Sequence, residues 1–167
     1  IQRNVIDKIA FVGVVGNLMI WAKGYDIGTR NKDFITNSLG DSFDKTWKIA
    51  QVLVKKHLDL LILPSDLAVE INEERVPMKL DELPTEYPIY DVGIQSLMDL
   101  RPIILNSKCI LWNGPASFFE RTGFAFGTIE ILNMCIETDA LTIIGGGHTS
   151  ALVSSRGVSD KVTHNST

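Results

Sequence analysis

Apolar runs alternate with helical spacings along most of this chain. KIAFVGVVG at residues 8–16 is continuous enough to predict a buried strand, and NLMIWAKG at 17–24 predicts a short helix closed by Gly24, since glycine ends helices at positive φ. Phe43, Trp47, Ala50, Val54 and His57 recur every three or four positions. They predict an amphipathic helix across DSFDKTWKIAQVLVKKH, with Asp41 or Ser42 as its cap and lysines in its last turn. LDLLILP reads as a continuous strand ended by Pro64. LAVEINEERVPMKL alternates apolar and polar residues on either side of Asn72 to Glu74, as a solvent-facing hairpin decorating a sheet would. After YPIYDVG the pattern gives a helix near Ile94 to Leu105, the strand KCILWNG, a helix near Phe118 to Ile136 and the strand LTIIGG. A helix opened by glycines and a last strand, KVTH, follow.

Strand followed by helix, repeated five or six times with continuous apolar strands, argues for a mostly parallel sheet covered on both faces. The expected class is α/β: a Rossmann-like three-layer sandwich with a mostly parallel sheet plus a small β-hairpin, formed as one domain over residues 1–167. Composition agrees, because 167 residues at 45% hydrophobic and 22% charged can build a core and are not disorder-prone. The net charge of -4, with no basic cluster interleaved with aromatics, argues against a nucleic-acid groove or a membrane-surface helix. No apolar run reaches the roughly 20 residues of a membrane span, and no secretory signal opens the chain, so a soluble, cytoplasmic protein is expected. Cys109 and Cys135 lie in apolar runs, which predicts two buried thiols rather than a disulfide. Both ends read as cut from a longer chain.

In open parallel sheets ligands bind beyond the carboxyl ends of the strands, so the residues that follow each strand are the ones to read for chemistry. Here they are GVVGN at 13–17, PSD at 64–66, DVG at 91–93, NGP at 113–115, GGGHT at 145–149 and HNST at 164–167. Glycines between a strand and a helix let the chain turn tightly and let a ligand lie against bare backbone, while the first N–H groups of the helix attract an anion. Gly145, Gly146 and Gly147 therefore read as a phosphate rest, or else as a tight connection with no ligand. Neither G-x-G-x-x-G with a distal acid nor G-x-x-x-x-G-K-[ST] is present, which weakens hydride transfer and P-loop hydrolysis.

ILWNGPASFFERTGFAFGT, Ile110 to Thr128, resembles the WNGP...FE...FA.GT signature of the phosphoglycerate kinases. TIIGGGHTSALVSS and DKVTHNST follow in the family's order and are similar to its TIIGGGDT and DKVSHVST segments. GNLMIWAKGYDIG, LPSDLAVE and DVGIQS extend the resemblance over nearly the whole chain, most like archaeal members. It implies an enzyme of two Rossmann-like domains: an N-terminal one that holds 3-phosphoglycerate, and a C-terminal one that holds Mg-ADP or Mg-ATP. Only the C-terminal half is similar to this chain. The family's lysine-bearing GGAKVSDK segment and its final GGGA helix start are expected outside these residues, so the isolated stretch is expected to bind adenine nucleotide without turnover. The implied reaction is reversible phosphoryl transfer between 1,3-bisphosphoglycerate and ADP, in which positioning and charge neutralisation outweigh covalent chemistry.

Carried over residue by residue, the resemblance assigns Asn113, Gly114, Ala116 and Glu120 to the nucleotide, with Glu120 accepting from ribose hydroxyls. Without the flanking motif, Glu120 would read as a solvated helix-capping carboxylate. Gly13 matches one glycine of the adenine-side turn, with Val12 where another is usual. Ile89 and Tyr90 match positions beside the base, although Tyr90 alone would pass for an ordinary strand aromatic, and Trp112 reads as core. His148 stands where most members place an aspartate that meets the nucleotide's Mg²⁺. Since Mg²⁺ prefers oxygen ligands, His148 is expected to act indirectly, through phosphate or water, with the Thr149 hydroxyl beside it. A lone exposed histidine at a helix start is the alternative. His57 and His164 have no ligand spacing with it, so no zinc site is expected. A non-catalytic nucleotide-binding module of the same fold, favoured by Val12 and His148, and a purely structural fragment are the remaining readings.

Overall fold

The computed structural model describes residues 5–121 and 123–166. In chain order they form β1 (Ile9–Ala10), α1 (Gly13–Ala22), α2 (Thr29–Leu39), α3 (Phe43–Lys56), β2 (Leu61–Ile62), β3 (Asp66–Ile71), β4 (Glu74–Lys79) and β5 (Ile89–Val92). Then come α4 (Ile94–Leu105), β6 (Cys109–Asn113), α5 (Phe126–Glu137), β7 (Leu141–Gly145), α6 (Gly147–Ser155) and β8 (His164–Asn165). The class is α/β, as the alternation predicts. The strands hydrogen-bond in three pieces: a parallel pair β1–β2, an antiparallel trio in the order β4-β3-β5, and a parallel trio in the order β6-β7-β8.

Several boundaries move for identifiable reasons. The run at 8–16 yields only two residues of strand, because Gly13 at φ +58 turns the chain and Gly16 N–H then donates to Val12 O at 3.0 Å, starting α1. Gly16 lies so close to the Phe11 carbonyl that a Cβ there would meet its oxygen at 2.9 Å. A 3-10 turn at Leu58–Leu60 shortens the next strand to Leu61–Ile62, and another at Ser159–Lys161 delays the last strand, expected at KVTH, to His164. The helix over 43–56 has no side-chain cap from Asp41 or Ser42; a 3-10 turn at Gly40–Ser42 leads into it instead. α5 begins at Phe126 rather than near Phe118, since residues 114–121 are held away from helix by contacts described below. α2 has no counterpart in the apolar pattern: its buried face includes Asn31, whose side chain donates to Ile27 O and Tyr87 O and accepts from Ile89 N–H.

The hairpin forms as its alternation predicts. Asn72 and Glu73 make its turn at positive φ, and β3 pairs with β4 through all six residues. On its other edge β3 pairs with β5, so the hairpin is part of a sheet and not an ornament on one. One core cluster gathers Leu18, Met19, Ile20, Ile27, Ile35, Leu61, Leu67 and Ile89 around the hairpin sheet and α1. The other gathers Leu97, Leu100, Trp112, Leu132, Cys135, Ile144 and Val153 between α4, α5 and α6 and the β6–β8 sheet. Trp112 is thus core, as expected. In parallel strands successive side chains face opposite sides, and the register pairs Cys109 with Leu141 and Leu111 with Ile143 on the side away from that core. Leu111 is 76% exposed there. Cys109 is consequently exposed, against the expectation of two buried thiols, while Cys135 is buried and its thiol is pushed up to about 12 by desolvation. No described helix is long and apolar enough to cross a membrane.

Candidate functional site

The site is built at the carboxyl ends of β6 and β7. These strands run in parallel register, Asn113 opposite Gly145, so the turns that follow them lie side by side. Gly114 at φ +85 and Gly146 at φ +89 bend both turns, and a Cβ on Gly146 would lie 3.5 Å from Gly114 N and 3.3 Å from Asn113 Oδ1. α6 then starts at Gly147 with no side-chain cap, so the N–H groups of its first turn point out of the helix without intrahelical acceptors. Thr149 is wholly buried in that turn, and its hydroxyl has no hydrogen-bond partner among the described residues. An orphaned buried hydroxyl beside free N–H groups suits an anionic ligand.

Facing α6 is the segment from Gly114 to Arg121. Ala116 is fully buried, and its N–H donates to Thr128 Oγ1 at 3.1 Å; Ser117 Oγ shares the same hydroxyl at 2.6 Å. Phe118 N–H donates to Tyr90 O at 2.7 Å, and the Tyr90 ring packs edge-on against Phe118 and Phe124. Phe119 and Glu120 look the other way. Glu120 Oε1 lies 3.5 Å from His148 Nδ1, and the Phe119 ring stands edge-on to the imidazole at 6.2 Å. Both members of the Glu120–His148 pair are largely exposed, so the contact alone contributes little to stability.

The residues singled out from sequence therefore divide. Asn113, Gly114, Glu120, Gly145, Gly146, Gly147, His148 and Thr149 come together on one rim. Gly13 abuts the start of the segment, where a Cβ would lie 2.7 Å from Pro115 O, and Tyr90 lies under it. Ile89 is buried in the other core cluster with its N–H bound to Asn31. Of the remaining rim groups, Asp66 caps α4, accepting from Gln95 N–H at 3.0 Å and Ser96 N–H at 2.7 Å in the space that a side chain on Gly93 would fill. Among the described residues no group of three or more His, Cys, Asp or Glu could hold a metal ion. A shallow depression of about 610 Å³ between residues 105–108 and 137–140 lies before the starts of β6 and β7, away from this rim.

Asp91 is the buried acid beneath the site. Its carboxylate accepts from Gly127 N–H at 3.0 Å, Val92 N–H at 2.8 Å and Arg75 Nε at 3.3 Å. Burial still outweighs these donors and pushes its pKa up to about 6. A carboxyl whose pKa is higher folded than unfolded stabilises most when protonated. The Asp91 contribution to stability should therefore fall by about 3 kcal/mol as pH rises from roughly 4 to 6, at about 1.36 kcal/mol per pK unit. Asp26 and Glu70, held below the usual carboxylate range first by hydrogen bonds from Lys32 and Arg121, act in the opposite sense and lose their contribution on acidification. Denaturant melts of wild type and Asp91→Asn across this range isolate the Asp91 part: the difference between them should fall with pH, and parallel curves would show that the carboxylate is fully compensated.

A sequence model of the family described as phosphoglycerate kinase matches residues 1–167. Curated relatives include the phosphoglycerate kinase of Thermoplasma volcanium, 33% identical over the whole chain and 40% of the relative, and phosphoglycerate kinase 2 of Methanosarcina acetivorans, 38% identical over 96% of this chain and 38% of the relative. The crystal structure of phosphoglycerate kinase from Pyrococcus horikoshii OT3 superposes with a TM-score of 0.86 at 29% identity, covering 98% of this chain and 40% of that one. That from Coxiella burnetii gives 0.73 at 25% identity, over 96% and 41%. The chain spans about two fifths of the length of the curated relatives it matches. With a family match from the first residue to the last and a shared fold, the chain belongs to the phosphoglycerate kinase family.

Proposed function

We propose that this chain is the nucleotide-binding half of a phosphoglycerate kinase, holding an adenine nucleotide for reversible phosphoryl transfer between 1,3-bisphosphoglycerate and ADP. The observation that carries the reading is the convergence, on one rim, of the Asn113–Gly114 turn, the Glu120 carboxylate and the uncapped start of α6 with the orphaned Thr149 hydroxyl. The phosphates would lie against Gly145 to Thr149, where N–H groups and the helix dipole favour negative charge. Glu120 would accept from the ribose hydroxyls, with Asn113, Gly114 and Ala116 lining the cleft. Gly13, Ile89 and Tyr90 would form the base side, Ile89 as a buried support. Phosphoryl transfer asks mainly for such positioning and for charge neutralisation, and these residues include no nucleophile and base pair. The magnesium that accompanies the nucleotide supplies charge neutralisation at the phosphates when bound. His148 would reach it only through phosphate or water, because an imidazole is a poor substitute for oxygen.

Calorimetric titration of the chain with ADP, with and without Mg²⁺, tests the proposal: saturable one-to-one binding is expected, and its absence would reject it. His148 adds a signed prediction. If its ring faces phosphate, a protonated imidazole adds a positive charge beside it, so lowering the pH should strengthen binding more in wild type than in His148→Ala. Direct ligation of Mg²⁺ requires the neutral ring and reverses the sign. Because nucleotide phosphates titrate nearby, wild type must be compared with His148→Ala in the same buffers. Identical profiles would remove His148 from the site. A non-catalytic module is the second reading; it is favoured by the contact of His148 with Glu120, two groups that would both face the ligand and here face each other.

A further inference from the structure

The four residues Phe118 to Arg121 alternate between two neighbours. Arg121 N–H donates to Phe118 O at 3.0 Å, closing one tight turn. From that turn Phe118 and Arg121 reach down to the hairpin sheet, Phe118 through Tyr90 and Arg121 through Glu70, while Phe119 and Glu120 reach across to His148 on α6. The Arg121 guanidinium holds the Glu70 carboxylate with two parallel donors, Nε to Oε2 and Nη2 to Oε1, the latter at 2.7 Å. Glu70 is the penultimate residue of β3, paired on one edge to β4 at Arg75 and donating its N–H to Pro88 O on the other, and its side chain is mostly shielded at 16% exposure. The anchor is therefore rigid. Glu120 has no comparable restraint, since among the described residues the one polar contact of its carboxylate is the exposed, 3.5 Å approach to His148.

We propose that Arg121, clamped on Glu70, is a positioning residue that sets the angle at which Glu120 is presented to the ligand. The proposal rests on the nucleotide reading of the site given above. A bidentate guanidinium–carboxylate pair fixes orientation as well as distance, and an ion pair whose guanidinium stays partly open to solvent adds little to global stability. The clamp thus affects the site far more than the fold. Without it the turn would still be tethered by Phe118 N–H but free to rotate about that bond, and the binding-competent arrangement would become one of several. When the competent fraction falls, apparent affinity falls by the same factor. If about one arrangement in five remains competent, ADP should bind about fivefold more weakly.

Arg121→Gln, Arg121→Lys and Glu70→Gln test this through two readouts on the same chain. The first is backbone amide exchange of the ligand-free protein at Phe118 and Arg121, against Leu111 and Ile143 in the sheet as internal controls. The second is ADP affinity by calorimetry. The proposal expects faster exchange confined to the turn in Arg121→Gln and Glu70→Gln, about fivefold weaker ADP binding in both, and partial recovery of both measures in Arg121→Lys, which keeps the charge but loses the fork. Unchanged exchange at the turn would show that the clamp does not hold it, and the proposal would fail. Faster exchange with undiminished affinity, in a wild type that binds ADP, would show that the clamp does not serve the ligand, and would overturn it equally. If wild type binds no ADP, the nucleotide reading fails and the proposal falls with it, a result that the exchange measurement tells apart from a failed clamp.

Discussion

Gly28→Ala should destabilise the folded chain by more than about 3 kcal/mol, the sum of a backbone conformation nearly closed to other residues and a steric clash that cannot relax. Gly28 precedes α2 at φ +81, ψ 154, and a Cβ there would lie 1.9 Å from the Thr85 carbonyl oxygen and 2.9 Å from its carbon. Both partners are backbone, so no rotamer change makes room. In a chain of this size 1 kcal/mol moves the melting temperature by roughly 2 to 4 °C, so a fall of about 10 °C or complete loss of the cooperative transition is expected. Gly24→Ala is the matched control: Gly24 also has positive φ, at +111, but its Cβ would meet nothing within 4 Å. That variant should lose only about 1 kcal/mol, the cost of the conformation alone. Equal losses in the two proteins would show that the close approach to Thr85 does not matter.

Glu120→Ala should weaken ADP binding by about 1 to 3 kcal/mol, the scale of hydrogen bonds to a charged acceptor. Glu120 is poorly restrained by the protein, so its removal costs the ligand site more than the fold. Circular dichroism and the melting temperature should stay close to wild type. Glu120→Gln retains one acceptor oxygen and should fall between. Unchanged calorimetric affinity in the alanine variant would return Glu120 to the role of a solvated carboxylate beside His148. Both variants remove the negative charge beside His148, so their affinities are compared with wild type in one buffer at one pH.

Contiguous features were readable from sequence. The strand alternation about Asn72 to Glu74 gave the hairpin, and the apolar period over Ile94 to Leu105 gave α4 with both its ends. The glycine turn and the Asn113–Gly114 turn were each legible as single stretches, and parallel pairing of β6 with β7 was enough to bring them together. What escaped depends on partners distant in the chain. α2 is secured by the Asn31 side chain on Tyr87 and Ile89, a polar tie that no hydrophobic period registers. The spacing predicts α5 from near Phe118 because Phe118 has helix-compatible neighbours, whereas Phe118 is held out of the helix by Tyr90, 28 positions earlier, and Arg121 by Glu70, 51 positions earlier. Cys109 looked buried because both faces of β6 are apolar, and sequence cannot say which face a neighbour covers.

The clamp between Arg121 and Glu70 also bears on the order in which the molecule assembles. It joins residues 51 apart, whereas the Ser117–Thr128 contact spans 11. Contacts of long sequence separation carry their loop-closure entropy into the late stages of folding. The turn that presents Glu120 is thus expected to be fixed late in folding. A molecule bound there stabilises interactions absent from the folding transition state, and so prolongs the lifetime of the native state while leaving the rate of its formation almost untouched.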